Sequence, residues 1–397
     1  MKQVISTEQI PIKIWTDEIE NGALEQAKNL ANLPFAFKHI AIMPDTHQGF
    51  GMPIGGVLAT KDVIIPNAVG VDIGCGMCAV KTSLTSIDKE TLKKIVGEIR
   101  KVIPVGFNHQ KEKQDESLMP DCGTMPEKFL PICDSQYQSA IKQIGTLGGG
   151  NHFIEIQKGS DGYIWIMIHS GSRNLGKQVA DYYNKVAIEL NKKWFSDTEK
   201  ELNFLPLDSK EGQSYIREME YCVEFALANR KLMMERIQQI FIDSGIGLSN
   251  NRRADFLSFE PMINIAHNYA QLENHFGENV WVHRKGATLA TKDTIGIIPG
   301  SQGTKSYIVK GKGNLESFMS CSHGAGRKMG RNEAIKNLNL EEEIKKLDDM
   351  GVIHAIRGQK DLDEAPGSYK DIDIVMENQK DLVEILVELT PLAVIKG

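Results

Sequence analysis

The sequence has no apolar run close to the roughly 20 residues that are needed to span a bilayer. Its first residues also lack the apolar core and small-residue cleavage site of a signal peptide, so we expect no export signal. The chain has only 6 cysteines in 397 residues, which is too sparse for a disulfide framework. These absences argue against a membrane-spanning or disulfide-stabilised secreted protein. They predict a protein of the reducing cytoplasm that has no membrane partner.

The chain lacks two motifs that would have indicated a particular kind of binding site, a P-loop and a second CxxC. The chain has no GxxxxGK[ST] sequence, so a P-loop is excluded. Cys75 and Cys78 form a CxxC, but no second pair and no thioredoxin-like βαβ pattern accompanies it, so a zinc or redox pair is weakly indicated. We find no internal repeat, low-complexity tract or long linker. We therefore expect residues 1–397 to form a single composite domain.

Charge is ordinary overall but uneven along the chain. The net charge is -6, which argues weakly against nucleic-acid binding. Between residues 301 and 331, however, six Lys and Arg residues stand against Glu316 alone, a local excess of six minus one, or +5. A solvated face and an anion-binding surface both account for this excess.

Helical and strand patterns occur in irregular order. Apolar spacing predicts helices within 86–103 and over 176–195, 214–242 and 374–389, the first capped by Ser86 or Asp88 and ended by Pro104. Short apolar runs predict strands over 39–43, 163–168, 279–283 and 306–310. Because these elements do not alternate regularly, a doubly wound sheet is disfavoured. We predict an α+β fold of antiparallel sheets with helices outside.

Several histidines follow apolar runs in turns rich in glycine or asparagine, where catalytic groups concentrate. They are His47, His152, His169, His267 and His323. Asp72 and Cys75 lie three residues apart in another such turn, VGVDIGCGM. One thiolate, one carboxylate and three imidazoles from 152, 169 and 267 could hold two divalent ions if the sulfur bridges. Manganese, zinc, cobalt and iron all suit such ligands. The alternative is that each histidine is simply a hydrogen-bonded turn residue.

Three glycine-rich loops have the composition of anion sites. GTLGGGNHFIEI and GIIPGSQGTKSYIV offer backbone N–H groups and hydroxyls that can form anion nests, although either can also be a tight turn. CSHGAGRKMGR places His323 among glycines with cations just behind it, which favours a phosphate ligand. The residues alone leave His323 as a metal ligand, a proton shuttle or a nucleophile.

Taken together, these motifs resemble one known family. The chain carries, in order, PDTHQGFGMPIGG, VGVDIGCGM, GTLGGGNHFIEI, IMIHSGSRNLG, HNYA, HRKGA, GIIPGSQGTKSYIV, CSHGAGRKMGR, YKDID and a terminal VIKG. In these motifs it closely resembles the RNA-splicing ligase RtcB family, whose members are GTP-dependent 3′-phosphate RNA ligases. The resemblance extends over nearly the whole chain.

This resemblance implies a central metal and GTP cleft with two manganese ions. Cys75 is then the bridging ligand, with His169 and His267 completing one metal and Asp72 and His152 the other. It also implies that His323 is the nucleophile, which attacks the α-phosphate of GTP to give a covalent guanylate. Asp45 is implied to orient that imidazole, since a carboxylate partner selects the ring tautomer.

The resemblance further implies the nucleotide and RNA contacts. The expected GTP contacts are Asn151, Phe153, Glu155, Pro299, Gly300, Ser301, Ser306, Gly324, Ala325, Gly326, Arg327, Tyr369 and Lys396. Arg173 and Arg331 are expected to grip RNA phosphate, as planar bidentate donors can. The implied partner is RNA that ends in a 3′-phosphate or 2′,3′-cyclic phosphate, together with RNA that begins with a 5′-hydroxyl. An archease-like activator is a further implied partner.

The chain departs from the family pattern in a few places. Gln302, Thr304 and Ile265 replace residues that we expect to be methionine, alanine and cysteine, and none of them is a predicted ligand. Residues 109–140, which include Cys122 and Cys133, are the least family-like stretch, so we expect substrate choice there. A dinuclear metallohydrolase, such as a phosphodiesterase or phosphatase, is the main rival function. A non-catalytic RNA-binding protein is the second.

Overall fold

A computed structural model describes residues 1–121, 130–246 and 257–397. Its helices are α1 (Asn21–Ala31), α2 (Pro66–Val69), α3 (Lys89–Val102), α4 (Pro131–Gln143), α5 (Asn174–Lys193), α6 (Lys210–Asp243), α7 (Arg331–Asn337), α8 (Leu340–Asp349) and α9 (Ile372–Asn378). The segment expected to choose the substrate, 109–140, falls partly outside the described residues, and so does Cys122. Within the described part, none of the helices is both long and apolar enough to cross a bilayer.

The strands form two large sheets and two small ones. They are β1 (Gln3–Ile5), β2 (Ile12–Ile14), β3 (Ala36–His47), β4 (Ile54–Thr60), β5 (Val63–Ile64), β6 (Gly76–Lys81), β7 (Phe153–Gly159), β8 (Ile164–Ser170), β9 (Leu205–Pro206), β10 (Ile263–Ala266), β11 (Asn268–His275), β12 (Glu278–Lys285), β13 (Ala287–Leu289), β14 (Ile295–Ile298), β15 (Ser306–Gly311), β16 (Ser320–Ser322) and β17 (Val383–Lys396). The orders are β1-β2-β3-β4-β12-β11, β10-β6-β8-β7-β17-β15-β14, β13-β16 and β5-β9. Neighbours are antiparallel except β2 and β3. The predicted α+β class is therefore confirmed.

The three earlier predicted helices are present, and side-chain caps define where two of them begin. Asp88, rather than Ser86, caps α3 by accepting hydrogen bonds from the N–H groups of Glu90 and Thr91. Ser209 caps α6, which therefore starts one turn before the apolar stripe that predicted it. Three predicted strands lie within β3, β12 and β15, and the fourth, 163–168, overlaps β8 from Ile164 onward.

The predicted helix over 374–389 is wrong in its second half. Helix α9 ends at Asn378, and the chain then enters β17, a central strand that pairs with β15 on one side and β7 on the other. The apolar residues from Val383 to Leu389 fit either a helical or an extended pattern over so short a span. Pairing partners more than 70 residues earlier in the chain decide the outcome, and local spacing does not reveal them.

Helices α3 and α6 cover one face of the seven-stranded sheet. Ile95 and Ile99 of α3 and Met233 and Ile237 of α6 are buried in one hydrophobic cluster with residues of the sheet such as Ile166. Met233 is core filler, as its place on the apolar stripe predicts. This packing leaves one end of the sheet open to the loops that carry the histidines.

A buried ion pair joins the first sheet to the strand before His323. Arg284 of β12 is fully buried and donates to both oxygens of Glu273 on β11, the Nη2 to Oε2 distance being 3.0 Å. The guanidinium also donates to Ser320 Oγ at 2.9 Å and to the carbonyl of Phe318 at 3.0 Å. Removing Glu273 would leave the Arg284 charge buried without its carboxylate.

Glu273→Ala is therefore expected to lower the free energy of unfolding at pH 7 by about 3 to 5 kcal/mol. Although burial favours the protonated acid, His275 and Arg284 lower the pKa of Glu273 to about 2 from its ordinary 4.5. Because the folded-state pKa is depressed, this stabilisation is present above about pH 4.5 and is lost as the pH falls toward 2. Urea unfolding followed at several pH values measures both effects.

The exposed pair of Glu90 with Lys93, 2.9 Å apart, provides the control. Glu90→Ala is expected to change the unfolding free energy by no more than about 0.5 kcal/mol, because exposed helix pairs contribute little. Equal effects of the two substitutions would contradict a stabilising role for the buried pair.

Candidate active site

The ligand-type side chains come together at one end of the seven-stranded sheet. Ala266 of β10 pairs with Gly76 of β6, and Gly76 pairs with Ser170 of β8. His169 of β8 in turn pairs with Phe153, the first residue of β7. Antiparallel neighbours place the start of one strand beside the end of the next. The turns before β6 and β7 and the turn after β10 therefore meet here.

All five predicted metal ligands lie in this place. The donor atoms of Cys75, His152 and His169 are buried and lie within 4.8 Å of one another. Cys75 Sγ is 3.4 Å from His152 Nε2 and 3.2 Å from His169 Nε2. His267 Nε2 is 3.4 Å from His169 Nε2. Asp72 Oδ2 lies 3.6 Å from His152 Nε2 on the other side. The sulfur of Cys75 thus lies between His169 and His267 on one side and Asp72 and His152 on the other.

Backbone carbonyls orient two of the imidazoles. His152 Nδ1 is 2.9 Å from the carbonyl of Leu147, and His169 Nδ1 is 3.1 Å from the carbonyl of Asn151. Since a carbonyl only accepts hydrogen bonds, each Nδ1 carries the proton and each Nε2 directs its lone pair at the cluster. Histidines that ligate metals are usually held by such outer contacts.

The ionisation states of these side chains are those that binding of a metal cation requires. Although burial favours the protonated acid, the neighbouring His152 brings the pKa of Asp72 down to about 2. Burial lowers the pKa values of His169 and His267 well below their ordinary range, so both rings are neutral. Burial and the charge of Asp72 raise the pKa of the Cys75 thiol, which a bound cation would deprotonate. The donor set therefore fits one or two divalent ions.

The CxxC does not act as a pair. Cys78 packs among apolar side chains that include Val80 and Ile168, and its Sγ is 4.0 Å from the carbonyl of Arg230. Cys75 instead lies among the histidines. The weakly indicated zinc or redox pair thus gains no support.

His323 lies beside the cluster, immediately after β16. Its Nδ1 is 2.6 Å from Oδ2 of Asp45, a fully buried residue of β3. Although burial favours the protonated acid, the charge and hydrogen bond of His323 hold the pKa of Asp45 below its ordinary value. The carboxylate therefore accepts a hydrogen bond from Nδ1, and Nε2 is the nitrogen that carries the lone pair when the ring is neutral. The His323 ring centroid is 4.8 Å from that of His267.

The loop after His323 is closed tightly against β3. The oxygen Oδ2 of Asp45 also accepts from the N–H groups of His323 and Gly324, at 3.1 and 3.2 Å. Gly326 has a φ of 73°, and a Cβ there would lie 2.1 Å from the Asp45 carbonyl oxygen. Only glycine allows this approach, so Gly326 is a requirement of the loop geometry.

A cavity of about 850 Å³ opens in front of His323, which is a volume suited to a nucleotide. Its walls include every residue predicted to contact GTP except Ser306, namely Asn151, Phe153, Glu155, Pro299, Gly300, Ser301, Gly324, Ala325, Gly326, Arg327, Tyr369 and Lys396. Arg331, predicted to contact RNA phosphate, also lines it.

Two of the predicted nucleotide and RNA contacts, Ser306 and Arg173, do not line the cavity. Ser306 is fully buried, and its hydroxyl accepts a hydrogen bond from the N–H of Gly300 at 3.2 Å, so it supports the loop from behind. Arg173 donates to Thr146 Oγ1 at 2.9 Å and to the carbonyl of Gly106 at 3.1 Å. In this structure Arg173 therefore braces the glycine-rich loop before His152.

The local positive excess between 301 and 331 divides into two parts. Lys305 pairs with Glu388 at 2.6 Å, and Lys310 lies 3.5 Å from Asp293, both on the surface. The cations of this segment that line the cavity are Arg327, Lys328 and Arg331. The segment thus contributes both to a solvated face and to a positively charged cavity wall.

Glu155 and Lys396 meet at the cavity wall with perturbed ionisation. Burial raises the pKa of Glu155 to about 8, although the charge of Lys396 opposes this. Burial also lowers the pKa of Lys396, against the charges of Glu364 and Glu155. A ligand that offers both hydrogen-bond donors and an acceptor would satisfy the two groups, and a guanine edge offers both.

Helix α6 supplies two buried residues that sequence reasoning missed. Arg230 is fully buried and donates to the carbonyls of Gly74 at 3.0 Å and Ser170 at 2.8 Å. These carbonyls belong to the neighbours of two predicted ligands. Asn229 accepts from the N–H of Thr146 at 3.1 Å and donates to Ser170 Oγ at 3.2 Å. Charged and amide side chains within an apolar helical stripe are the signal that could have found them.

The fold and the site together define a class of protein. The chain is a candidate metalloenzyme in which a cluster of metal-ligand side chains adjoins a nucleotide-sized cavity. The model of the family described as tRNA-splicing ligase RtcB matches residues 26–128 and 111–397. The chain therefore belongs to the RtcB family.

Curated relatives align along almost their whole length. The RNA-splicing ligase RtcB of Escherichia coli K12 is 39% identical, covering 100% of this chain and 99% of its own. The tRNA-splicing ligases RtcB of Thermococcus kodakarensis and Nanoarchaeum equitans are 31% and 33% identical, each covering 98% of this chain and 95% of its own.

Proposed function

We propose that this chain is an RNA ligase that joins a 3′-phosphate or 2′,3′-cyclic phosphate end to a 5′-hydroxyl end through a guanylated His323. We further propose that residues 1–397 act as one catalytic domain that uses GTP and two manganese ions. Membership of the RtcB family supports ligation of RNA. The observation that carries the chemistry is the Asp45–His323 pair, in which Nδ1 of the ring lies 2.6 Å from the buried carboxylate at the wall of the nucleotide-sized cavity.

The first step uses the neutral ring of His323. Its Nε2 lone pair attacks the α-phosphorus of GTP, a phosphorus–nitrogen bond forms, and the bond to the bridging oxygen breaks. Pyrophosphate leaves with that electron pair. Asp45 holds the Nδ1 proton and stabilises the positive charge that develops on the ring.

The cluster of Asp72, Cys75, His152, His169 and His267 would hold the metal. When bound, the metal supplies positive charge that neutralises the phosphates. The side chains themselves need no rearrangement, because the carbonyls behind His152 and His169 already direct Nε2 inward.

The remaining steps pass the guanylate to RNA. A cyclic phosphate is first opened by water to a 3′-phosphate. An oxygen of that phosphate then attacks the guanylate phosphorus, the phosphorus–nitrogen bond breaks, and an RNA(3′)pp(5′)G end forms. The 5′-hydroxyl of the second RNA attacks the 3′ phosphorus and GMP leaves. Arg331 lines the cavity, and its two outer guanidinium nitrogens have no hydrogen-bond partner in the part of the chain that the structure describes, so it is suited to hold the RNA phosphate.

The test uses two short RNAs, one that ends in a 3′-phosphate and a labelled one that begins with a 5′-hydroxyl. With manganese and GTP, the purified chain is expected to give joined product on a denaturing gel. ATP in place of GTP, or a 3′-hydroxyl paired with a 5′-phosphate, should give none. Release of phosphate or cleavage of RNA without joining would favour the metallohydrolase, and RNA binding alone would favour the non-catalytic alternative.

A further inference from the structure

Glu364 is a buried carboxylate that several residues of the nucleotide cavity share. It is 3% exposed and ends a short helical segment, Gln359–Glu364. Its Oε1 accepts from Arg327 Nη1 at 3.0 Å and from Arg331 Nε at 2.9 Å. Its Oε2 accepts from the hydroxyl of Tyr369 and lies 3.9 Å from Lys396 Nζ. One side chain thus contacts four groups, and each oxygen serves a different pair.

The two oxygens contact different parts of the cavity. The Oε2 side holds Tyr369 and Lys396, two of the expected GTP contacts, and Lys396 lies with Glu155 on the wall that suits a guanine edge. The Oε1 side holds Arg331 through Nε, and the two outer nitrogens of Arg331 have no hydrogen-bond partner among the described residues. These point at the glycine-rich loop before His152, since a Cβ on Gly150 would lie 3.0 Å from Arg331 Nη2. Glu364 therefore connects the base side of the cavity with the RNA-phosphate side.

The backbone of this residue is also fixed. Gln302 Nε2 donates to the carbonyl of Glu364 at 2.9 Å. Gln302 belongs to the loop that carries Gly300 and Ser301, so this bond links the carboxylate to a second wall of the cavity. Although burial favours the protonated acid, the charges of Lys396 and the arginines hold the pKa of Glu364 below its ordinary value, so it is ionised.

We propose that Glu364 is a positioning residue of the ligase, whose carboxylate orients Lys396 and Tyr369 for the base and Arg331 for the RNA phosphate. The inference rests on the proposed function, which supplies the ligands on both sides. Glu364 does not contact His323 or Asp45, so it acts through these residues and not on the reacting atoms. It was not among the residues that the sequence indicated.

Glu364→Gln tests whether both carboxylate oxygens are needed, one for the arginines and the other for Tyr369 and Lys396. An amide keeps the shape but has only one acceptor oxygen, so it turns an NH2 group toward either the arginines or Lys396 and Tyr369. The dissociation constant of guanosine α,β-methylene triphosphate, which cannot release pyrophosphate, is expected to rise about 10- to 100-fold in calorimetry. In the labelling reaction, KM for GTP should rise similarly, while the rate at saturating GTP changes less than about threefold.

Base preference separates positioning from a merely structural role. If Glu364 holds Lys396 at a 6-oxo group, the preference for guanosine over adenosine α,β-methylene triphosphate should fall toward one in Glu364→Gln. A general loosening of the fold would weaken both nucleotides alike and keep their ratio.

Glu343 offers a matched control in the same region. It is 2% exposed and accepts from the N–H of Gly367 at 2.9 Å and from Lys346, outside the cavity. Glu343→Gln should leave nucleotide affinity within about twofold of the parent protein. Equal affinity or unchanged base preference in Glu364→Gln overturns the inference. If Glu364→Gln does not fold, Glu364→Asp keeps the charge and shortens the reach, and the same affinity and preference losses are expected of it.

The binding measurement also distinguishes this inference from the proposed function. Absence of any guanylate on the parent chain would reject the guanylated histidine. The two nucleotide affinities and their ratio would still decide whether Glu364 positions the base contacts.

Discussion

His323→Ala is expected to abolish transfer of label from α-phosphate-labelled GTP to the chain, and to abolish RNA joining with it. The substitution removes the only proposed nucleophile, while Asp45 and the loop N–H groups that donate hydrogen bonds to Asp45 remain. The proposed reaction passes through a covalent bond to this ring, and alanine offers no nucleophile in its place. The rate of labelling should therefore fall by more than about 1,000-fold. Labelled protein measured after denaturation in alkali gives the result, because a phosphorus–nitrogen adduct to histidine is stable to alkali and labile to acid.

A histidine with a carboxylate partner outside the cavity provides the control. His354 is 8% exposed, and its Nε2 lies 3.4 Å from Asp348 Oδ1. His354→Ala should keep the labelling rate within about threefold. Retained RNA joining by His323→Ala would reject the assignment of the nucleophile. Labelling that persists at another residue would reject it equally.

The fold was predictable where local pattern decides structure. The amphipathic spacing and Asp88 cap of α3 are properties of adjacent residues, so sequence located that helix closely. Strand β17 was not predictable, because its extended form depends on pairing with β7 and β15, and those residues lie far away in the chain. The same limit applies to sheet order, which rests on many such pairings.

The site was predictable to the extent that its motifs resemble a family. The composition of the loops suggested a metal cluster and anion contacts, but only the resemblance justified the grouping of residues nearly 200 positions apart. The structure places the five predicted ligands together and pairs His323 with Asp45. It differs at Arg173, which bonds inward to Thr146.

Residues that act through others were the hardest to predict. Glu364 lies in the acidic stretch KDLDE, where sequence gives no reason to choose one carboxylate, yet only this one is buried among the cavity cations. Arg230 is hidden within the long helix α6, and its carbonyl partners are set by the fold. Such residues have a fixed role only after tertiary packing has determined their neighbours.

Cys75→Ala is expected to remove bound manganese and, with it, guanylation of His323. The Sγ atom lies within 3.4 Å of two imidazole nitrogens, so it is the one donor positioned to contact both halves of the cluster. His152 and His169 keep their carbonyl contacts in the variant, and the protein should therefore remain folded. Loss of a direct ligand should weaken manganese binding by at least about 100-fold, more than loss of an outer contact usually does. Metal content after dialysis, with labelling from GTP, measures the two losses.

Cys78, the second cysteine of the CxxC, provides the control that distinguishes loss of a metal ligand from loss of any thiol. Cys78 is equally buried but packs in the apolar core with Val80 and Ile168, and so cannot reach the histidine donors. Cys78→Ala should retain manganese and labelling and lose about 1 kcal/mol of stability through the small cavity it leaves. Loss of metal in both variants would instead support a paired CxxC site. Full manganese content in Cys75→Ala would show that the histidines and Asp72 bind the metal without the sulfur.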